Sequence, residues 1–182
     1  MRPVADYAAG HIPGSLAIAL RDAFATWLGW LVPDPATPLV IVAGPGQDLA
    51  EVAWQALKIG YGNLAGTLAS GLPAWEAAGN PVAVTRLLAP GQVYPAAVVD
   101  VRQAGEYAGG HLPGARNIEL GALSRQAPGL AGRPVVVMCG HGERAATAAS
   151  VLERMGHAGV AVLPGGPPDW SAATGMPLES SA

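Results

Sequence analysis

The sequence predicts an α/β protein made of one unit written twice, each copy a mostly parallel sheet flanked by helices and the first copy short of its opening strand. Three observations predict it. First, Asp6-Tyr7-Ala8-Ala9-Gly10-His11-Ile12-Pro13-Gly14-Ser15 returns as Glu106-Tyr107-Ala108-Gly109-Gly110-His111-Leu112-Pro113-Gly114-Ala115, an offset of 100. Further blocks follow in the same order: Val40 to Asp48 returns at Val136 to Arg144, and Gly71-Leu72-Pro73-Ala74-Trp75 at Gly166-Pro167-Pro168-Asp169-Trp170. Second, apolar β-branched runs alternate with amphipathic segments and Gly/Pro punctuation, the pattern of strand-helix-strand units. Third, the second copy opens with Ala97-Val98-Val99-Asp100-Val101-Arg102, whereas Met1-Arg2 already matches Val101-Arg102. A strand missing on that side leaves a pairing edge: the expectation is that the coding sequence starts too late, that another chain or segment fills the gap, or that the first domain is only partly stable.

The expected boundaries are 1–82 for the first domain, 83–96 for a linker and 97–179 for the second. In the second copy, strands are expected near 97–101, 115–118, 134–139 and 159–163, and helices near 103–108, 144–155 and 168–174. In the first, strands are expected near 15–19, 38–43 and 63–67, and helices near 20–31, 48–59 and 73–78. Ligands of parallel sheets sit at the carboxyl ends of the strands.

Composition narrows the class. Of 182 residues, 51% are hydrophobic and 13% charged, so the chain buries a core. The longest apolar stretch, Ala23 to Val32, is too short and too interrupted to span a bilayer, and no signal peptide is legible at the start. A cytoplasmic protein is expected. Net charge is −3, all of it in residues 1–82, where three basic residues face six acids; residues 83–182 balance seven against seven. No basic stripe marks a nucleic-acid partner.

Chemistry concentrates in one stretch. Val135 to Met138 reads as a buried strand, Cys139-Gly140-His141-Gly142 as a loop, and Glu143-Arg144 as the start of an alanine-rich helix. Unpaired backbone N–H groups of such a loop and first helical turn favour negative charge, so a thiolate there is stabilised. Gly140 and Gly142 permit the positive φ angles that turn amides inward, and Arg144 closes the loop with a fixed positive charge. Cys139 is the only cysteine, which leaves no internal disulfide and no zinc ligand set and suits a reducing compartment. In the first copy Ala43 stands in place of the cysteine and Asp48 in place of the arginine.

These motifs together, Asp100-Val101-Arg102, Glu106-Tyr107 with Gly110 to Ala115, Cys139 to Arg144, and Gly165-Gly166 followed by Trp170, resemble the rhodanese (sulfurtransferase) family over nearly the whole chain. The resemblance implies a tandem pair with an inactive first domain and a catalytic second one. It implies that Cys139 takes a sulfane sulfur from thiosulfate or a small persulfide, becomes a persulfide, and passes the sulfur to a thiol or cyanide, without metal or organic cofactor. Gly140, His141, Gly142, Glu143 and Arg144 would surround the anionic sulfur, with Arg102 nearby. The related cell-cycle phosphatases carry one more residue between cysteine and arginine; four stand here, and Glu143 would repel a phosphate dianion. The details are most similar to the rhodanese region of bacterial fusions with a metallo-β-lactamase-fold persulfide dioxygenase. No His-x-His-x-Asp-His segment occurs here, so such an enzyme is expected only as a separately encoded partner. The competing class is a non-catalytic module that docks a sulfide- or persulfide-oxidising enzyme.

Other residues carry two readings each. His111 is a base or, since His11 repeats it beside no cysteine, part of a structural turn. His141 touches substrate or is simply exposed. Arg102 attracts an anionic donor or pairs with an acid such as Glu106. Asp100 orders loop hydrogen bonds, and Trp75 and Trp170 anchor helices in the core. Phe24, Trp27, Trp30 and Leu31 form a helical apolar stripe, read as core, an interdomain face or a homodimer surface.

Overall fold

The structure, a computed structural model, describes residues 2–181. The first half contains α1 (Val4–Ala9), α2 (Phe24–Leu31), β1 (Leu39–Ile41), α3 (Leu49–Leu57), β2 (Leu64–Thr67) and α4 (Gly71–Ala77). The second contains β3 (Arg86–Leu87), β4 (Val98–Asp100), α5 (Ala104–Ala108), β5 (Arg116–Asn117), α6 (Leu123–Gln126), β6 (Val136–Met138), α7 (Glu143–Arg154), β7 (Ala161–Leu163) and α8 (Pro167–Thr174). Among the described residues the strands pair in parallel, β1 with β2 in one sheet and in the order β3-β7-β6-β4-β5 in the other, while His11 with Ala83 and His111 with Glu179 form isolated antiparallel bridges. The fold class expected from the sequence is the one observed.

Period-two alternation explains how the larger sheet is covered on both faces. Val98, Val136, Met138, Ala161 and Leu163 pack on one side with Leu112 and with Trp170 of α8. Val99, Val101, Val137, Cys139 and Val162 pack on the other with α7 and with Leu123 of α6. The same cluster continues into Phe24, Trp27 and Leu28 of α2 and Val52 and Ala56 of α3, so the two halves share one core.

Helix α7 sits at this junction. Ala145 to Leu152 are all buried, more than an amphipathic surface helix would bury. Its small residues let it lie between the sheet and the first half: Ala146 packs with Tyr7 and Ala17, and the Ser150 hydroxyl accepts the Ala17 amide at 3.0 Å.

The first half departs from expectation where its sheet is short. No strand forms at 15–19, because its counterpart β5 pairs only with β4, and no equivalent of β4 exists among the described residues. Trp75 is only half-buried and gives its indole N–H to Pro81 O at 2.8 Å; none of α4 is buried, because two strands offer it little to pack on. Within 83–96, expected as a linker, Arg86–Leu87 forms the edge strand beside β7. Helices α1 and α6 lie outside the segments expected to be helical. The stripe on α2 proves to be packing between the halves: Phe24 and Trp27 are buried, and the half-exposed ring of Trp30 lies against Gly121.

The His-x-Pro-Gly turns repeat in atomic detail. Tyr7 stacks on His11 with ring centroids 4.0 Å apart, Tyr107 on His111 at 3.8 Å. Each histidine places Nδ1 within 3.0 Å of the tyrosine carbonyl, which can only accept, so an Nδ1–H donates there. Each tyrosine hydroxyl donates to the carbonyl eight residues on, Ser15 or Ala115. Both histidines are buried members of a structural turn.

Candidate active site

Strand β6 occupies the centre of the five-stranded sheet, and Cys139 follows it directly. The loop to α7 is short because Gly142, at φ +90°, is the helix N-cap in a left-handed conformation that a side chain disfavours. A Cβ there would also lie 2.8 Å from Pro164 O. Gly140, expected to share this role, has no positive φ. Opposite the loop, a Cβ on Gly166 would stand 2.9 Å from Gly140 O and 3.2 Å from Cys139 O. The turn after β7 is therefore the wall against which the loop is moulded. Asp169 fixes that turn by accepting the Gly166 amide at 2.7 Å.

The thiol is 2% exposed, and the Gly142 amide donates to its Sγ at 3.1 Å. Arg144, at the second position of α7, turns to α5 and grips Glu106 with both terminal nitrogens, at 2.6 and 2.8 Å. The hydrogen bonds from Arg144 hold the Glu106 carboxyl down to about 2, against an opposing effect of partial burial. The guanidinium is in turn raised, first by Glu106 and then, less strongly, by the charge of Cys139. His141 is exposed at the loop's tip.

Arg102 is buried, and its acid is Asp100 rather than Glu106. Nε lies 3.0 Å from both Asp100 oxygens, Nη2 lies 2.7 Å from Oδ2, and Nη2 also donates to Gly110 O at 2.7 Å. Asp100 further accepts the Arg102 amide, as expected of a residue that orders the strand end. Arg2 makes the same bond to Gly10 O in the first half. Arg102 thus braces the turn that carries α5 and Glu106.

Two partners of the loop were not legible in the sequence. Glu106 pairs with Arg144 across 38 residues, and Glu143 forms an ion pair with Arg21 of the first half. A cavity of about 780 Å³ opens beside β1, lined by Arg2, Ile12, Leu16, Phe24, Leu39 and Ile41 among others, and none of Cys139 to Arg144 lines it. No helix among the described residues is long and apolar enough to cross a membrane. No cluster of three His, Cys, Asp or Glu residues suited to a metal ion occurs among them.

A parallel sheet whose central strand delivers a cysteine to a glycine-bearing loop, closed by an arginine at a helix N-terminus, defines a thiol-centred α/β protein. The chain belongs to the rhodanese-like domain family, which matches residues 1–78 and again 83–173. An uncharacterized protein of Bacillus subtilis (strain 168), YqhL, is 36% identical over 76 residues, 41% of this chain and 60% of that protein. The chain thus spans about 60% of that curated relative. Among solved structures, protein hp1203 of Helicobacter pylori 26695 is 27% identical with a TM-score of 0.46, covering 52% of this chain and 89% of that one. A thiosulfate sulfurtransferase of Pseudomonas aeruginosa is 22% identical with a TM-score of 0.42, covering 97% of this chain and 39% of that one.

Proposed function

We propose that the protein is a sulfurtransferase with Cys139 as its nucleophile. The observation that carries this reading is the Gly142 amide donating to Cys139 Sγ at 3.1 Å in a loop closed by Arg144. A backbone N–H aimed at sulfur stabilises a thiolate and, later, a persulfide anion. The thiolate attacks the outer sulfur of thiosulfate; a sulfur–sulfur bond forms, the old one breaks, and sulfite leaves with its electron pair. A small persulfide would react likewise and release a thiolate. An external thiolate or cyanide then attacks the outer sulfur of the Cys139 persulfide, and the Cys139 thiolate leaves. The acceptor comes from outside because the chain has no second cysteine.

In this reading the amides of Gly140 through Arg144 cradle the anion, His141 lies at the entrance, and Arg144 supplies positive charge. Arg102 acts through the Asp100 brace rather than on substrate. Small sulfur anions and thiols are the partners, in a reducing cytoplasm, and a separately encoded persulfide dioxygenase is a natural supplier or consumer.

Intact mass after incubation with thiosulfate, and separately with glutathione persulfide, tests the reading. A gain of about 32 Da, one sulfur, is expected, lost on adding thiol and absent in Cys139→Ser. If a folded sample gains no mass with either donor, the transferase reading fails and the alternative, a non-catalytic module that docks a partner, is the one to test.

A further inference from the structure

The charged side chains around Cys139 come as acid–base pairs. Arg144 takes Glu106, and Arg102 takes Asp100, both within the second half. Glu143 is different. It directly follows Gly142, whose amide points at the sulfur, and its carboxylate is paired with Arg21, which belongs to the half without a cysteine.

Arg21 is held in place by the shared core. It lies just before α2, and its carbonyl accepts the Phe24 amide at 2.8 Å and the Gln55 side-chain amide at 3.3 Å. Its guanidinium carbon stands 5.9 Å from the ring centroid of the buried Trp27. Arg21 is about half exposed and Glu143 about one-third exposed, so the pair itself contributes little to stability. Its effect on an approaching anion is a separate quantity. With Arg21 present the three pairs sum to zero charge; without it they carry one unit of negative charge, at the first residue of the helix that follows the cysteine loop.

We propose that Arg21 of the first half is a positioning residue that sets the charge preference of the Cys139 site, by covering Glu143 so that anionic substrates can approach the thiolate. The inference deepens the sulfurtransferase reading, because thiosulfate is a dianion. It also assigns the cysteine-less half a part in the chemistry. Coupling through the carboxylate requires that removing Glu143 make Arg21 dispensable.

The test uses alkylation of Cys139 in the full chain, which does not depend on sulfur transfer. Rates with iodoacetate, an anion, and iodoacetamide, a neutral analogue, are compared. Arg21→Ala is expected to lower the iodoacetate-to-iodoacetamide ratio about three- to tenfold at low salt, and less at 0.5 M salt. Arg21→Lys is expected to keep the ratio near that of the wild type, and Arg21→Ala with Glu143→Gln to restore it within about twofold. With thiosulfate, Arg21→Ala is expected to raise KM while leaving kcat nearly unchanged. An unchanged ratio in Arg21→Ala, or an equal fall in both alkylation rates, overturns the inference. A wild type that gains no sulfur removes the transferase reading, while the alkylation ratio still decides the role of Arg21.

Discussion

Arg144 holds Glu106 in a two-pronged grip, Nη1 to Oε2 at 2.6 Å and Nη2 to Oε1 at 2.8 Å, and so ties the cysteine loop's helix to α5. The planar fork of an arginine fixes direction as well as charge. Glu106→Gln is expected to free the guanidinium and lower sulfur transfer about tenfold. The pair is also a pH-dependent tie. With the folded-state carboxyl at about 2 and its ordinary value at 4.5, the contribution is complete above about 4.5 and disappears as pH falls toward 2. The Glu106 side chain is 42% exposed, so screening reduces the contribution to about 0.5–1 kcal/mol. Urea denaturation of wild type and Glu106→Gln should differ by that amount at pH 7 and converge near pH 2; an equal gap at both would show that the ion pair is not the source.

Gly142→Ala strains a φ of +90° and drives a Cβ to 2.8 Å from Pro164 O. A loss of about 1–3 kcal/mol is expected, with sulfur transfer down at least tenfold, because the amide that faces Sγ moves. Gly156→Ala is the control: φ is +86°, but nothing lies within 4 Å of the added carbon. It is expected to lose stability and keep activity. Equal activity losses in the two variants would separate the loop geometry from catalysis.

Asp100→Asn leaves Arg102 buried beside a neutral amide. Removing one partner of a buried pair costs about 3–5 kcal/mol, far more than removing an exposed one. Chemical denaturation is expected to show a loss of that order. A change below about 1 kcal/mol would mean that water reaches the guanidinium.

Ser150→Ala removes the acceptor of the Ala17 amide and the donor to Thr147 O, the latter at 2.6 Å. The expected cost is about 1–3 kcal/mol, since a buried N–H is left unpaired. Because the core is continuous between the halves, one cooperative transition is expected to shift as a whole. Two separated transitions, probed by fluorescence and circular dichroism, would show that the halves unfold independently.

Much was legible in the residues because it is local or repeated. The offset of 100 announced two related units, and the apolar run into Cys139 announced a buried strand handing over to a helix, which β6 and α7 are. His11 repeating His111 beside no cysteine pointed to a structural turn, and the stacked Tyr7 and Tyr107 rings show why such a turn is kept. Gly165 and Gly166 stood out as a motif, but only the structure shows what they make room for: the Asp169 side chain at Gly165 and the Gly140 carbonyl at Gly166.

By itself the sequence determined the α/β class, the doubling, the lone cysteine and the loop that presents it, because periodicity and turn chemistry act between near neighbours. Tertiary structure alone decided which charges face one another. Glu106 reaches Arg144, Asp100 rather than Glu106 takes Arg102, and Arg21 crosses from the other half to Glu143. Such pairings depend on how helices α2, α5 and α7 are set on the sheet and on the shared core. It likewise decided that no strand forms at 15–19 and that α4 stays exposed, since a strand needs a neighbour and a helix needs a face, and neither is written in the segment's own residues.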